Sequence, residues 1–230
     1  MIFSQAEYDL RCEWGAHGVA QLALERRVAI VVDVLSFSTA VDIAVTNGAI
    51  VVPRPAHAGE SVRTRSGYSL SPASLLEVPA GYRLELPSPN GAALSLAAAA
   101  AGAATFTACL RNAGAVARAA RQLGPPFAVI PAGERWPDGS LRPALEDWIA
   151  AGAVLSGLPG RPSPEAEAAI AAYASLRHLC GPLLHGCSSG KELIARGFVE
   201  DVGLAGELDV SSMAPLLRDG AFSERPLRAL

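Results

Sequence analysis

Apolar positions along the chain fall into short strand-like runs separated by helix-like stretches. Tyr8, Leu10, Cys12 and Trp14 alternate with Asp9, Arg11 and Glu13, a period of two that predicts a strand with one polar face. Gly15 and Gly18 lead into a short amphipathic stretch to Leu24. Val28-Ala29-Ile30-Val31-Val32 is a continuous, mostly β-branched run, the mark of a strand buried on both faces. Ser38 to Thr46 predicts a helix closed by Asn47-Gly48, and Ala49 to Val52 a third strand.

The alternation recurs downstream. Arg83 to Leu86 predicts a short strand, after which Asn90-Gly91 turns into an alanine-rich helix. Thr105 to Cys109 is a strand, and Asn112 caps a helix to Leu123. Phe127 to Ile130 is a strand followed by a polar loop through Asp138-Gly139, and Pro143 stands where a first helical residue is expected, opening a helix to about Leu158. Strands alternating with helices at this spacing predict an α/β fold, three layers deep, with a largely parallel or mixed sheet. Past Pro159 the character changes: Pro162 and Pro164 frame a linker, and the rest reads as mostly helical with a weaker strand signal. One domain over 1–230 is expected, and a helical cover or a C-terminal subdomain with its break near 159–164 both fit.

Composition narrows the function classes. Half of the residues are hydrophobic and 18% are charged, as in a globular protein. A net charge of −3, with no basic run interleaved with aromatics, leaves no electrostatic footprint for nucleic acid or an anionic membrane. No apolar run is clean enough to span a bilayer, and the first residues lack the basic start and apolar stretch of a signal peptide, so a cytoplasmic location is expected. Cys12, Cys109, Cys180 and Cys187 form no C-x-x-C pair and have no histidine at zinc-ligand spacing, which points to small buried hydrophobes in a reducing compartment. His17, His57, His178 and His185 likewise show no ligand spacing.

In parallel α/β sheets, ligands bind beyond the carboxyl ends of the strands, which selects four segments. Asp33 to Thr39 places a carboxylate, able to ligate magnesium or attack phosphorus, before the hydroxyls of Ser36, Ser38 and Thr39 and a helix N-terminus. The plain alternative is a strand end with Ser36 or Ser38 as a helix cap. Ser88-Pro89-Asn90-Gly91 offers backbone N–H groups and one amide to an anion, or is an ordinary tight turn. Arg111-Asn112 sets an arginine beside a helix cap, where it either forks onto an anion or pairs with a surface acid. Gly133-Glu134 and then Glu146-Asp147 supply acids that hold magnesium or merely complement a helix dipole. Ser189 and Glu192 have the spacing of a capping box beside the sole lysine, Lys191, without the glycines of a Walker motif.

In this order, the segments resemble the 2-phosphosulfolactate phosphatase family. The likeness is carried by V-V-D-V-L-S-F-S-T (Val31 to Thr39), N-G-A (Asn47 to Ala49), S-P (Ser71-Pro72) and S-P-N-G (Ser88 to Gly91). It continues through C-L-R-N-A (Cys109 to Ala113), A-G (Ala132-Gly133), L-E-D-W-I-A-A-G (Leu145 to Gly152) and G-F-V-E-D-V (Gly197 to Val202). The resemblance implies a magnesium-dependent hydrolase on a three-layer α/β/α fold that removes phosphate from 2-phosphosulfolactate, in a route to coenzyme M. It raises Asp33, Asn90, Arg111, Glu146 and Asp147 above their plain alternatives. Two departures stand out: Ser36 occupies the place of a usual arginine, and Leu86-Pro87-Ser88-Pro89 replaces a threonine-rich stretch.

The resulting expectation is metal-assisted hydrolysis of a small phosphorylated acid. Asp33 with Glu146 or Asp147 holds Mg2+, Arg111 and the helix N-termini neutralise charge, and Ser36, Ser38, Thr39, Asn90, Gly91 and Asn112 bind substrate. Whether Asp33 attacks or positions water is open, as is assembly into a homo-oligomer. A phosphatase for a different ester and a non-catalytic anion-binding protein are the rival readings.

Overall fold

The computed structural model describes residues 2–23, 28–56 and 67–223. Leu24 and His57 lie outside the described residues. The first half of the chain runs β1 (Leu10–Cys12), α1 (Gly15–Leu22), β2 (Val28–Val32), α2 (Phe37–Thr46), β3 (Ile50–Pro55), β4 (Arg83–Ser88), α3 (Gly91–Ala100) and β5 (Ala104–Ala108). Next come α4 (Ala113–Arg121), β6 (Phe127–Pro131), the small hairpin β7 (Glu134–Arg135) and β8 (Leu141–Arg142), and α5 (Leu145–Ser156). The chain ends with α6 (Pro164–Leu176), α7 (Cys180–Gly186), α8 (Ser188–Ala195), α9 (Val199–Ala205) and the hairpin β9 (Leu216–Arg218) with β10 (Ala221–Ser223).

Eight described strands form one mixed sheet in the order β1-β6-β2-β5-β9-β10-β3-β4. β1, β6, β2 and β5 run parallel, as do β3 and β4, and the antiparallel β9–β10 hairpin joins the two blocks. Helices cover both faces, so the expected three-layer α/β/α architecture is present. β2 shows why: Val28, Ile30 and Val32 pack with α4 and α5, whereas Ala29 and Val31 pack with Val19 and Leu22 of α1 and Leu94 and Ala98 of α3. Alternate side chains of a strand point to opposite faces, so an unbroken apolar run needs a helix layer on each side. A second cluster seats Phe37 and Val41 of α2 against Val51, Leu84, Leu86 and Phe222.

Local expectations were corrected in three places. The strand around Tyr8–Trp14 contracts to β1 and has no polar face: Arg11 is buried, and its guanidinium donates to the carbonyls of Tyr8, Ala6 and Ser4 at 2.8, 3.0 and 3.3 Å. Pro143 precedes the cap of α5 instead of opening the helix, and the proline-first pattern appears at Pro164, behind a Ser163 cap that accepts the Ala166 N–H at 3.1 Å. The segment after Pro159 both covers and completes the sheet, because its last two strands return to the middle of it. The four cysteines are free and buried. Among the described residues, no helix is long and apolar enough to cross a membrane.

Candidate active site

β2 ends at Val32 and delivers Asp33 into a turn locked from within. The Asp33 N–H donates to Ser38 Oγ at 2.9 Å, and Ser38 N–H returns to the Asp33 carbonyl at 2.7 Å. Thr107 Oγ1 donates to the Val31 carbonyl, so Ser38 O–H gives its proton to Thr107 at 2.7 Å, and Thr39 O–H donates to the Val34 carbonyl at 2.7 Å. Ser38 and Thr39 are fully buried and do not line the cavity described below. Their hydroxyls are consumed in shaping the turn, which corrects the expectation that they bind substrate.

The Asp33 carboxylate bridges two helix N-termini. Oδ2 accepts the Gly91 N–H at the start of α3 at 2.8 Å, and Oδ1 accepts the Phe37 N–H at the start of α2 at 3.4 Å. Four strands stand between β2 and β4. In a flat sheet with strands about 4.8 Å apart, their ends would be about 24 Å from one another, so the sheet coils to bring the end of β4 over the end of β2. Gly91 is required by this approach, since a Cβ there would lie 2.7 Å from Asp33 Oδ2 and 2.8 Å from Phe37 Cβ. Burial pushes the Asp33 carboxyl up to about 6, against the pull of the Gly91 and Phe37 N–H groups, with the Glu146 charge raising it further and the Ser88 hydroxyl lowering it.

Three more acids gather beside Asp33. Glu134, on β7 just past the end of β6, accepts the Asn90 Nδ2 at 3.0 Å. Burial, then the charges of Asp33 and Glu146, push its carboxyl up to about 8, with Arg142 and Asn90 pulling the other way. Asp147 is a buried strap: Oδ1 accepts the Val34 N–H and Oδ2 the Gly133 N–H, each at 2.8 Å, which ties the turn after β2 to the turn after β6. Burial raises its carboxyl well above the usual range, and Asp33 and Glu146 add to the effect. Glu146 is buried and acts as a charge on all three neighbours.

A cavity of about 590 Å³ opens over these strand ends, and its walls include Asp33, Ser36, Ser88, Asn90 and Glu134. Glu146 and Asp147 do not line it, so they stand behind the carboxylates they were expected to accompany. Glu134, grouped in the sequence with Glu146 and Asp147 but not carried into the expected metal set, is the one of these three acids that lines the cavity; its signal was an acid immediately after a strand-end Ala132-Gly133. The hydroxyl wall from Ser69, Ser71 and Ser74 was missed. Asp201 on α9 holds it in place, with Oδ1 accepting the Ser71 O–H at 2.7 Å and the Ala73 N–H at 2.9 Å.

Arg111 lies elsewhere. Its Nε donates to Asp42 Oδ2 at 3.0 Å and its Nη1 to the Leu204 carbonyl at 3.2 Å, with Glu207 as a further partner. Asp42 is fully buried on α2 and also accepts the Ser211 O–H at 2.6 Å, so the guanidinium is committed to a strut between α2 and the end of α9 with the segment that follows it. This corrects its expected role as a grip on phosphate. Asn112 is equally internal, its Oδ1 accepting the Cys109 N–H at 2.9 Å. The expected capping box at Ser189 is replaced by Cys187 Sγ, which accepts the Gly190 N–H at 3.4 Å, because Ser189 sits inside α8 and accepts Arg142 Nη2 at 3.1 Å.

A family model described as 2-phosphosulpholactate phosphatase matches residues 59–220, which is 162 of the 230 residues. The chain belongs to this family. Within the 2-phosphosulpholactate phosphatase family, a curated relative, the 2-phosphosulfolactate phosphatase of Methanothermobacter thermautotrophicus, is 32% identical over 112 residues. That alignment covers 49% of this chain and 47% of the relative, so the match spans about half the length of each.

The donor chemistry of the site suits a hard divalent cation. Asp33 and Glu134 bring carboxylate oxygens and Asn90 an amide oxygen to the cavity lining, and the crowded carboxylates raise one another's affinity for protons, a repulsion that a cation relieves. Among the described residues, no three His, Cys, Asp or Glu side chains form a ready-made metal cage. Mg2+ does not need one, because it keeps several waters and is often held by one or two carboxylates together with substrate phosphate.

Proposed function

We propose that the protein is a Mg2+-dependent phosphatase that hydrolyses 2-phosphosulfolactate to sulfolactate and phosphate, a step of the coenzyme M biosynthetic type, in the cytoplasm. The observation that carries the reading is the placement of the Asp33 carboxylate and Glu134 on one cavity, bridged by Gly91 and Asn90 from the same strand-end turn. Family membership and the name of the curated relative support the substrate.

Asp33 and Glu134 hold the cation, and Glu146 behind them adds negative charge that strengthens its binding. When bound, Mg2+ supplies Lewis-acid polarisation of the phosphoryl oxygens. The chain's own contribution is orientation. Backbone N–H groups fix both Asp33 oxygens and leave each with a further lone pair for the site, while the Asn90 amide aims the Glu134 carboxylate. In the overall reaction water adds to phosphorus, the P–O bond to the sulfolactate oxygen breaks, and that oxygen takes up a proton.

The test is phosphate release from a panel of small esters with Mg2+ and with excess chelator. Release from 2-phosphosulfolactate that requires Mg2+ is the expected result. Faster release from an ester lacking the sulfonate would give the site a different substrate, a reading that Ser36 on the cavity wall makes specific. No release from any ester would leave a binding protein.

A further inference from the structure

The second wall of the cavity is formed by α8, the turn that follows it and the start of α9, and it differs chemically from the strand-end wall. It carries Ser189, Glu192, Arg196, Phe198 and Asp201, whose carboxylate is engaged by the Ser71 O–H and the Ala73 N–H. Among the described residues that line the cavity, Arg196 is the one cation. Its guanidinium stands 5.7 Å over the Phe198 ring and its Nη1 is 3.5 Å from Glu192 Oε1, a pair in which both side chains are more than 60% exposed. Such an exposed pair contributes little and yields readily to a better partner. Ser189 Oγ accepts from Arg142, so its own O–H remains to be donated. The cation that draws Glu134 down is Arg142.

A second anionic group on the substrate has one cation of the described lining to meet, Arg196. A cation at Asp33 and Glu134 accommodates one phosphoryl group, but a second anionic group on the same molecule would be repelled by Asp33, Glu134 and Glu146 if it lay beside them. At about 590 Å³ the cavity has room for such a group on its other wall. A planar guanidinium presents forked N–H donors that match a carboxylate or sulfonate.

We infer that Arg196 is a specificity-determining residue, holding with Ser189 the second anionic group of a phosphate ester whose phosphoryl group lies at Asp33 and Glu134. The inference rests on the phosphatase reading for the first group only. Arg196 lies on the surface, so Arg196→Gln and Arg196→Lys should leave the fold intact.

The experiment compares two esters with Mg2+, 2-phosphosulfolactate and 4-nitrophenyl phosphate, which lacks a second acid. Arg196→Gln should lower kcat/KM for the first by about 10- to 100-fold, the size expected for losing a charge-assisted contact. The loss should lie in KM, with kcat and the second ester changed less than about 2-fold, and Arg196→Lys should recover part of it. Equal losses on both esters, or none on either, would overturn the assignment. Calorimetric titration with sulfolactate keeps the question separate from turnover: the wild type should bind it at least about 10-fold more tightly than Arg196→Gln does. Equal binding, or no binding to the wild type, would overturn the subsite even if phosphatase activity were present. Absent turnover with this binding difference would overturn the phosphatase reading alone.

Discussion

Gly91 donates its backbone N–H to Asp33 Oδ2 across 2.8 Å, joining residues 58 positions apart, of which Asp33 lines the cavity. The bond depends on the missing side chain, because a Cβ would press on both Asp33 and Phe37. Gly91→Ala should therefore displace the carboxylate and cut kcat/KM by at least about 10-fold, at a stability cost of about 1–3 kcal/mol for overpacking. Steady-state kinetics with a urea denaturation curve checks both halves. Unchanged kinetics would mean that the position of Asp33 does not matter.

The acid cluster makes stability depend on pH. Folding raises the Asp33 carboxyl to about 6 and Glu134 to about 8, so between the ordinary carboxyl range and pH 8 the folded state holds more protons than the unfolded state. Stability should accordingly fall as pH rises through that window, and remain at its lower level above it. Thermal melts of chelator-treated protein from pH 5 to 8.5 should show the slope, and Glu134→Gln should flatten its upper part. Added Mg2+ should stabilise more at pH 8 than at pH 5.5, since it replaces protons on the same oxygens.

Asp147 should behave as a strap. In Asp147→Asn one oxygen can still accept Val34 or Gly133, but the new amide turns a donor toward the other N–H. The expected cost is about 1–3 kcal/mol for a buried group left unpaired, read as a lower urea midpoint. Activity should fall as well, because the turns carrying Asp33 and Glu134 lose their tie.

The Arg111 strut separates structure from catalysis. Arg111→Ala leaves Asp42 buried without its cation and should cost about 3–5 kcal/mol. Arg111→Ala with Asp42→Asn should recover part of that loss. If the double variant is folded, its KM should be close to that of the wild type; a KM raised tenfold with stability restored would return Arg111 to the substrate site.

Much of this architecture was legible from local pattern. The apolar run of β2 announced a doubly covered strand, and its end directed attention to Asp33, as Asn90-Gly91 did after β4; the fold brings these two strand ends together. What escaped was decided by distant partners. Ser38 and Thr39 look like anion ligands in a linear reading, but Thr107 and the Val34 carbonyl claim them. Arg111 is indistinguishable in sequence from a phosphate grip until Asp42, 69 positions away, is seen beside it. Leu216–Arg218 and Ala221–Ser223 are too short to show a period, and their central place in the sheet comes from pairing with β5 and β3. Glu134 was named in the sequence, but a hairpin only two residues deep on each side gave no sign that it, and not Glu146 or Asp147, lines the cavity.

We propose Asp33 as the working carboxylate of a phosphatase site. Phosphate release from 2-phosphosulfolactate with Mg2+, compared between the wild type and a folded Asp33→Asn variant, tests it most directly. Release should be Mg2+-dependent in the wild type and reduced at least about 100-fold in the variant, the scale of losing metal-assisted charge stabilisation. Release by Asp33→Asn at the wild-type rate would contradict it.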